Sequence, residues 1–174
     1  MIEALRRGEV VAIPTDTVYG VAVTVGHSAA LFALKERPTD VALPVLIADP
    51  QDAARYATFA FDLTQHWPGA LTIVGTRTAE SSVWDLGGDD ATIGLRCPAD
   101  DDLRGLLREV GPLITTSANK HGQPPCTSAA EVRAALGETI AILDGGVRNG
   151  QPSTVVDATQ NPVRVLRQGA VVID

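Results

Sequence analysis

The sequence predicts an α/β (α+β) fold in which a twisted mixed β-sheet carries helices packed on it. Three observations support this. Short apolar runs rich in β-branched residues recur along the chain, each bounded by Gly, Pro, Asp or Asn. Helical patterns with cap and stop signals lie between some of these runs. Other runs follow one another with no helix between them, so the sheet is mixed rather than purely parallel. The predicted strands are Val10–Ile13, Val21–Val25, Leu43–Ala48, Leu71–Val74, Thr92–Leu95, Leu113–Thr116, Ile140–Leu143, Thr154–Val156, Arg164–Leu166 and Val171–Ile173. The predicted helices begin with the short Ile2–Arg7. Ser28–Lys35 follows, with Ser28 as its N-cap. Asp52–Ala57 and Phe61–His66 come next, the second stopped by Pro68. Asp100–Val110 opens on acidic residues and ends at Gly111. Ser128–Leu136 has Glu131 at capping-box spacing and ends at Gly137. Gly75–Ala91, with Gly87-Gly88 among aspartates, reads as a loop, either a mobile lid over a site or, in the simpler reading, a solvated hairpin end.

The 174 residues, 45% hydrophobic and 20% charged, fit one ordinary domain over 1–174 with a substantial core. Aromatic residues are few, so Val, Leu, Ile and Ala must build that core. A formal charge of −7 argues against a broad basic surface for nucleic acid, though not against a small basic pocket. Two cysteines give no disulfide framework, and the three scattered histidines give no metal motif, so no protein-built metal cluster is expected. The N-terminus lacks a signal-peptide pattern and no apolar run is long enough for a membrane span, which points to a cytoplasmic chain with no membrane contact.

The polar signatures sit at the ends of apolar runs: Pro14-Thr15-Asp16-Thr17-Val18-Tyr19-Gly20, Lys35-Glu36-Arg37-Pro38, Thr115-Thr116-Ser117-Ala118-Asn119, Ser153-Thr154-Val155-Val156-Asp157 and Arg167-Gln168-Gly169. Hydroxyls, an amide and fixed cations in loops beyond buried strands suit an anionic ligand, such as a nucleoside triphosphate beside a small polar partner. The P-loop and dinucleotide fingerprints are missing, and no GxSxG elbow makes Ser117 or Ser153 a nucleophile. Taken singly, each signature keeps an ordinary alternative. Lys35 and Arg37 either complement a helix C-terminus or reach phosphates with solvent-facing heads. Ser117 and Asn119 either cap a turn or bind oxygens, and Arg96 either forms a surface pair or clamps a carboxylate.

In their joint order these segments closely resemble the threonylcarbamoyl-AMP synthase family, the YrdC-like domain. The PTDTVYG, KxR, STVVD and RQG segments are joined by PGALT at Pro68–Thr72, GLRxP at Gly94–Pro98 and GPLITTSAN at Gly111–Asn119. The resemblance runs from Val10 to Val172 and implies the short, single-domain form of the YrdC-like fold. It implies a nucleotidyltransferase that turns L-threonine, bicarbonate and ATP into threonylcarbamoyl-AMP and pyrophosphate, for formation of the tRNA nucleoside N6-threonylcarbamoyladenosine. It assigns threonine to Thr17, Arg96, Thr115 and Ser153, and ATP or pyrophosphate to Lys35, Arg37, Ser117, Asn119 and Arg167, with no covalent nucleophile. Mg2+ is expected to arrive with ATP, and the adenylate to pass to a tRNA threonylcarbamoyltransferase. Two stretches depart from the family pattern: Thr39–Leu43 lacks a basic residue, and Lys120-His121-Gly122 replaces a small residue followed by SG. The alternatives are a non-catalytic RNA-binding module on the same fold, disfavoured by the acidic balance, and a related carbamoyl transfer.

Overall fold

A computed structural model describes residues 1–36, 39–120, 122–148 and 150–173. Helix α1 (Ile2–Arg6) precedes a hairpin of β1 (Val11–Pro14) and β2 (Tyr19–Thr24). Then come α2 (Ser28–Lys35), β3 (Val45–Leu46), α3 (Ala53–Tyr56), β4 (Ala57–Thr58), β5 (Leu71–Arg77) and β6 (Thr92–Arg96). Next are α4 (Asp101–Val110), β7 (Leu113–Ser117), α5 (Ala129–Leu136), β8 (Ala141–Ile142), β9 (Thr154–Asp157) and β10 (Arg164–Arg167). Among the described residues the strands form one mixed sheet in the order β10-β9-β5-β6-β3-β7-β2-β1-β8, with β4 paired on β5. Parallel pairs join β1 to β8, β3 to β6 and β5 to β9, and the other pairs are antiparallel.

Side chains alternate across a strand, and this periodicity divides the core. Ala12, Val21, Val23, Val45, Ile73, Ile93, Leu95, Ile114 and Val156 face one large cluster completed by residues of α2, α3 and α5. Val11, Ile13, Ala22, Leu46 and Leu113 face the other way, onto Leu5 of α1 and Leu103 and Leu107 of α4. The central strands are therefore apolar at consecutive positions because both their faces are covered. Helix α4 begins at Asp101, and Asp100, expected as its first residue, is instead its N-cap: the Asp100 carboxylate accepts the Leu103 N–H at 2.9 Å. The Ser128 hydroxyl likewise accepts the Glu131 N–H at 3.2 Å to start α5.

Several expectations need correction. The N-cap of α2 is His27, and the Ser28 hydroxyl donates to Asp85 instead. Phe61–His66 yields only a 3₁₀ turn over Thr64–His66, because the Asp62 carboxylate captures the Thr64 N–H at 2.8 Å. The helix expected over Asp52–Ala57 is shortened at both ends. It opens as a 3₁₀ turn at Pro50–Asp52, and Ala57 leaves it to pair with β5. Leu43–Ala48 contributes a pair of ladder residues, Val45–Leu46, and Ile140–Leu143 contributes Ala141–Ile142. Val171–Ile173 is not a strand. The Thr154 hydroxyl accepts the Val171 N–H and donates to the Val171 carbonyl, replacing ladder bonds with a side-chain clip. The supposed loop Gly75–Ala91 begins inside β5, and beyond it Leu86 and Ser81 are fully buried. Leu43 N–H bonds to Leu86 O and Gly88 N–H to Thr39 O, so this segment is packed against the body rather than being a solvated hairpin end.

Candidate active site on the open half of one sheet face

Among the described residues, the face that carries α1 and α4 is covered over β1, β2, β3 and the start of β7. Beyond them a cavity of about 350 Å³ opens. The alternation continues across it. Thr72 and Val74 of β5, Thr92, Gly94 and Arg96 of β6, and Val155 of β9 line the cavity, while their strand neighbours enter the large core. On β7, Leu113 belongs to the helix-covered cluster, and Thr115 and Ser117, next on the same face, line the cavity. Of the residues expected to bind ligand, Thr17, Arg96, Thr115, Ser117, Ser153 and Arg167 come together here.

Arg96 is the best-anchored of them. It is 7% exposed, and three of its five N–H groups are committed to protein acceptors. Nη2 donates to Asp16 Oδ1 at 2.6 Å, Nη1 to Thr17 Oγ1 at 3.1 Å, and Nε to Gly69 O at 3.1 Å. One N–H on each Nη has no acceptor among the described residues and is available to a ligand. Burial pushes the Arg96 guanidinium below its usual value, and nearby Arg167 pushes in the same direction, while Asp16 opposes both. The group stays charged. Thr17 is held in turn by Thr15. The Thr15 hydroxyl proton goes to Val18 O at 2.7 Å, so the contact at 2.9 Å between the two hydroxyls is donated by Thr17. Thr17 therefore orients Arg96 and keeps a lone pair, not a proton, for a ligand.

A second guanidinium reaches the cleft from the edge of the sheet. Arg167 donates to Ser153 O at 2.9 Å and to Ser153 Oγ at 3.2 Å. It has no carboxylate partner among the described residues, and burial lowers its pKa. The cleft thus holds two guanidiniums against the single carboxylate of Asp16, which pairs with Arg96, and it carries excess positive charge within an acidic protein. The Ser153 hydroxyl contacts Thr72 Oγ1 at 2.9 Å, and Thr115 Oγ1 donates to Val21 O at 3.1 Å.

The Lys35 group is arranged differently from the expectation. Its head is buried, at 8% exposure, rather than solvent-facing. Nζ donates to Ser117 O at 2.9 Å, to Asn119 O, and to Asn119 Oδ1 at 3.0 Å. Asn119 Oδ1 also accepts the Ser117 hydroxyl, and Asn119 Nδ2 donates to Lys120 O and Gln123 O. Lys35 and Asn119 are not among the cavity-lining residues; they fasten the exit of β7 behind Ser117. Arg37 lies outside the described residues.

The sequence-based reading did not single out Asp16, Thr15, Thr72 or Gly94 as parts of the site. For Thr72 and Gly94 the signal was available, since both fall on the polar phase of strands whose other phase is Leu71, Ile73, Ile93 and Leu95. Asp16 carried no such signal: it reads as a turn residue, and its partner is 80 residues away. Among the described residues no group of three or more His, Cys, Asp or Glu side chains is arranged to hold a metal ion. No described helix is long and apolar enough to cross a membrane.

Comparison with known proteins matches this architecture along nearly its whole length. The Sua5/YciO/YrdC family profile, described as telomere recombination, covers residues 3–169. A putative threonylcarbamoyl-AMP synthase of Mycobacterium tuberculosis is 40% identical over 185 residues, covering 98% of this chain and 82% of the relative. The threonylcarbamoyl-AMP synthase of Sodalis glossinidius is 34% identical over 97% of this chain and 94% of its own. Among solved structures, P. abyssi Sua5 complexed with L-threonine superposes with a TM-score of 0.85 at 31% identity. That match covers 97% of this chain but 52% of the other, so the present chain spans about half the length of the P. abyssi protein. E. coli YciO, at 24% identity and a TM-score of 0.84 over 97% of this chain and 86% of that one, shares the fold. With the profile and these relatives covering almost every residue, the chain belongs to the Sua5/YciO/YrdC family.

Proposed function

We propose that the chain is an L-threonylcarbamoyladenylate synthase, a nucleotidyltransferase that converts L-threonine, bicarbonate and ATP into threonylcarbamoyl-AMP, pyrophosphate and water. The observation that carries this reading is the anchored Arg96 guanidinium, with two N–H groups available, in a hydroxyl-lined cavity that a second guanidinium also reaches. Arg96 would bind the threonine carboxylate by charge-assisted hydrogen bonds. The lone pair left on Thr17 suits the amine, and the Ser153–Thr72 hydroxyl pair suits the side-chain hydroxyl. The amine attacks carbon dioxide or bicarbonate to give a carbamate. A carbamate oxygen then attacks the α-phosphorus, and pyrophosphate leaves.

None of this requires a protein nucleophile. The carbamate is labile and anionic, so the site must hold two anions together and limit their contact with water. Arg167 and the Ser117 end of β7 would face the triphosphate and offset charge developing at phosphorus. Lys35 and Asn119 act in this reading by fixing the Ser117 loop, and Arg37 would add a further cation. Mg2+ fits as an ion carried by ATP, because the described residues lining the cleft offer hydroxyls and no carboxylate, while Asp16 beside it is committed to Arg96. Transfer of the adenylate to a tRNA threonylcarbamoyltransferase would follow, since a mixed carbamic-phosphoric anhydride needs prompt use. The test is pyrophosphate release with bicarbonate and Mg2+, with and without L-threonine, coupled to incorporation of labelled bicarbonate. Threonine-dependent release is expected; a folded protein that gives none overturns the assignment.

A further inference from the structure

We propose that Gly94 determines amino-acid specificity: the methyl group of L-threonine sits over it, in a nook walled by Thr72 Cγ2 and Pro44, and this contact favours threonine over serine. The proposal rests on the synthase reading above. Gly94 lies in the interior of β6, where a glycine has no side chain to pack and weakens a strand. Its backbone does not need glycine, because no positive φ occurs there. The fold does not need it either. A Cβ at this position would lie 3.4 Å from Thr72 Cγ2 and 3.6 Å from Pro44 Cβ, which are ordinary contact distances. Gly75 on the neighbouring strand is a contrast, since its Cβ would come within 2.6 Å of the Phe59 ring and Thr58 O. What a Cβ at Gly94 would fill is the cavity itself.

The nook is apolar on its walls and polar beside them. Thr72 points its hydroxyl at Ser153 Oγ, which leaves its methyl toward Gly94. Val74, directly opposite Gly94 across the β5–β6 ladder, also lines the cavity. Pro44 is fixed in place by Thr115, whose N–H donates to the Pro44 carbonyl at 2.9 Å. Arg96 projects from the same face two residues on, roughly 7 Å along the strand. A threonine whose carboxylate meets Arg96 can turn its hydroxyl to the Thr72–Ser153 pair and its methyl into the nook. Serine leaves that space empty, and L-allo-threonine exchanges the methyl and hydroxyl.

The experiment compares L-threonine, L-serine and L-allo-threonine in pyrophosphate release and in calorimetric binding, using the wild type, Gly94→Ala and Thr72→Ser. The wild type is expected to favour threonine over each analogue about tenfold or more. Gly94→Ala should lower the threonine-to-serine ratio at least tenfold while melting within a few degrees of the wild type. Thr72→Ser keeps the hydroxyl pair and removes the methyl wall, so the ratio should fall there too. This gives a second test should the first variant fold poorly. A wild type that treats threonine and serine alike, or variants that leave the ratio unchanged, overturn the proposal while leaving the synthase reading intact. A folded wild type that binds none of the three amino acids overturns that reading, and the proposal with it.

Discussion

The two halves of a single sheet face make an instructive pair. Over β1, β2 and the start of β7, the inward residues are Val11, Ile13, Ala22 and Leu113, and helices α1 and α4 seal them from water. Over β5, β6 and β9 the same alternation places Thr72, Gly94, Arg96 and Val155, and no described helix covers them. The change occurs inside one strand, between Leu113 and Thr115. The backbone framework is common to both halves. What separates core from cleft is the chemistry of alternate residues, so the two respond to substitution in different measurable quantities.

The largest effect is expected on the covered half. Leu103→Ala removes a fully buried side chain and should cost about 2–5 kcal/mol in urea unfolding, with threonine affinity unchanged in the protein that remains folded. A comparable loss of affinity would mean that the two halves are not independent. Arg96→Lys reverses the pattern. A point charge cannot reproduce the three-way hold on Asp16, Thr17 and Gly69, so threonine use should drop on the order of 100-fold, a larger change than the fall in stability of about 1–3 kcal/mol expected from the lost buried bonds.

Lys35→Ala falls between these cases. It leaves the oxygens of Ser117 and Asn119 without their buried donor, and a loss of about 1–3 kcal/mol is expected. Reduced ATP use without that loss would mean that Lys35 works on phosphate rather than on the loop. The smallest effect concerns Asp49, on the covered half, where Arg108 and Arg104 hold the carboxylate down to about 2. Its folded value lies below the unfolded value of 3.8, so its contribution is present above that pH and is lost as pH falls toward 2. The group is about one-third exposed, so Asp49→Asn should remove under about 1 kcal/mol of the acid-side decline, measured by thermal melts between pH 5 and 2.

The covered half was the more legible in the sequence. Runs such as Val10–Ile13 and Leu113–Thr116 identify strands by composition, and Asp100 and Ser128 start their helices by local bonds within three residues. Errors arose where side chains intercept the backbone, as at Asp62 and Thr154. The cleft was legible as an ordered set of segments, and most of the expected residues do converge there. The division of labour among them was hidden because it depends on distant partners. Lys35 meets the β7 exit 82 residues away, and Arg96 meets Asp16 80 residues away. No local pattern distinguishes a lysine that clamps carbonyls from one that waits for phosphate.

The parallel pairing of β5 with β9 also has a consequence for biosynthesis. Ser153, Val155 and Arg167 join a cleft whose other lining residues, Pro152 apart, lie between Thr15 and Pro125. A nascent chain emerging as far as α5 has Arg96, Asp16 and Thr17 but lacks both the second guanidinium and the wall behind Thr72. Ligands that need the complete cleft cannot assist the early stages of folding, and binding competence arrives only once β9 and β10 have left the ribosome.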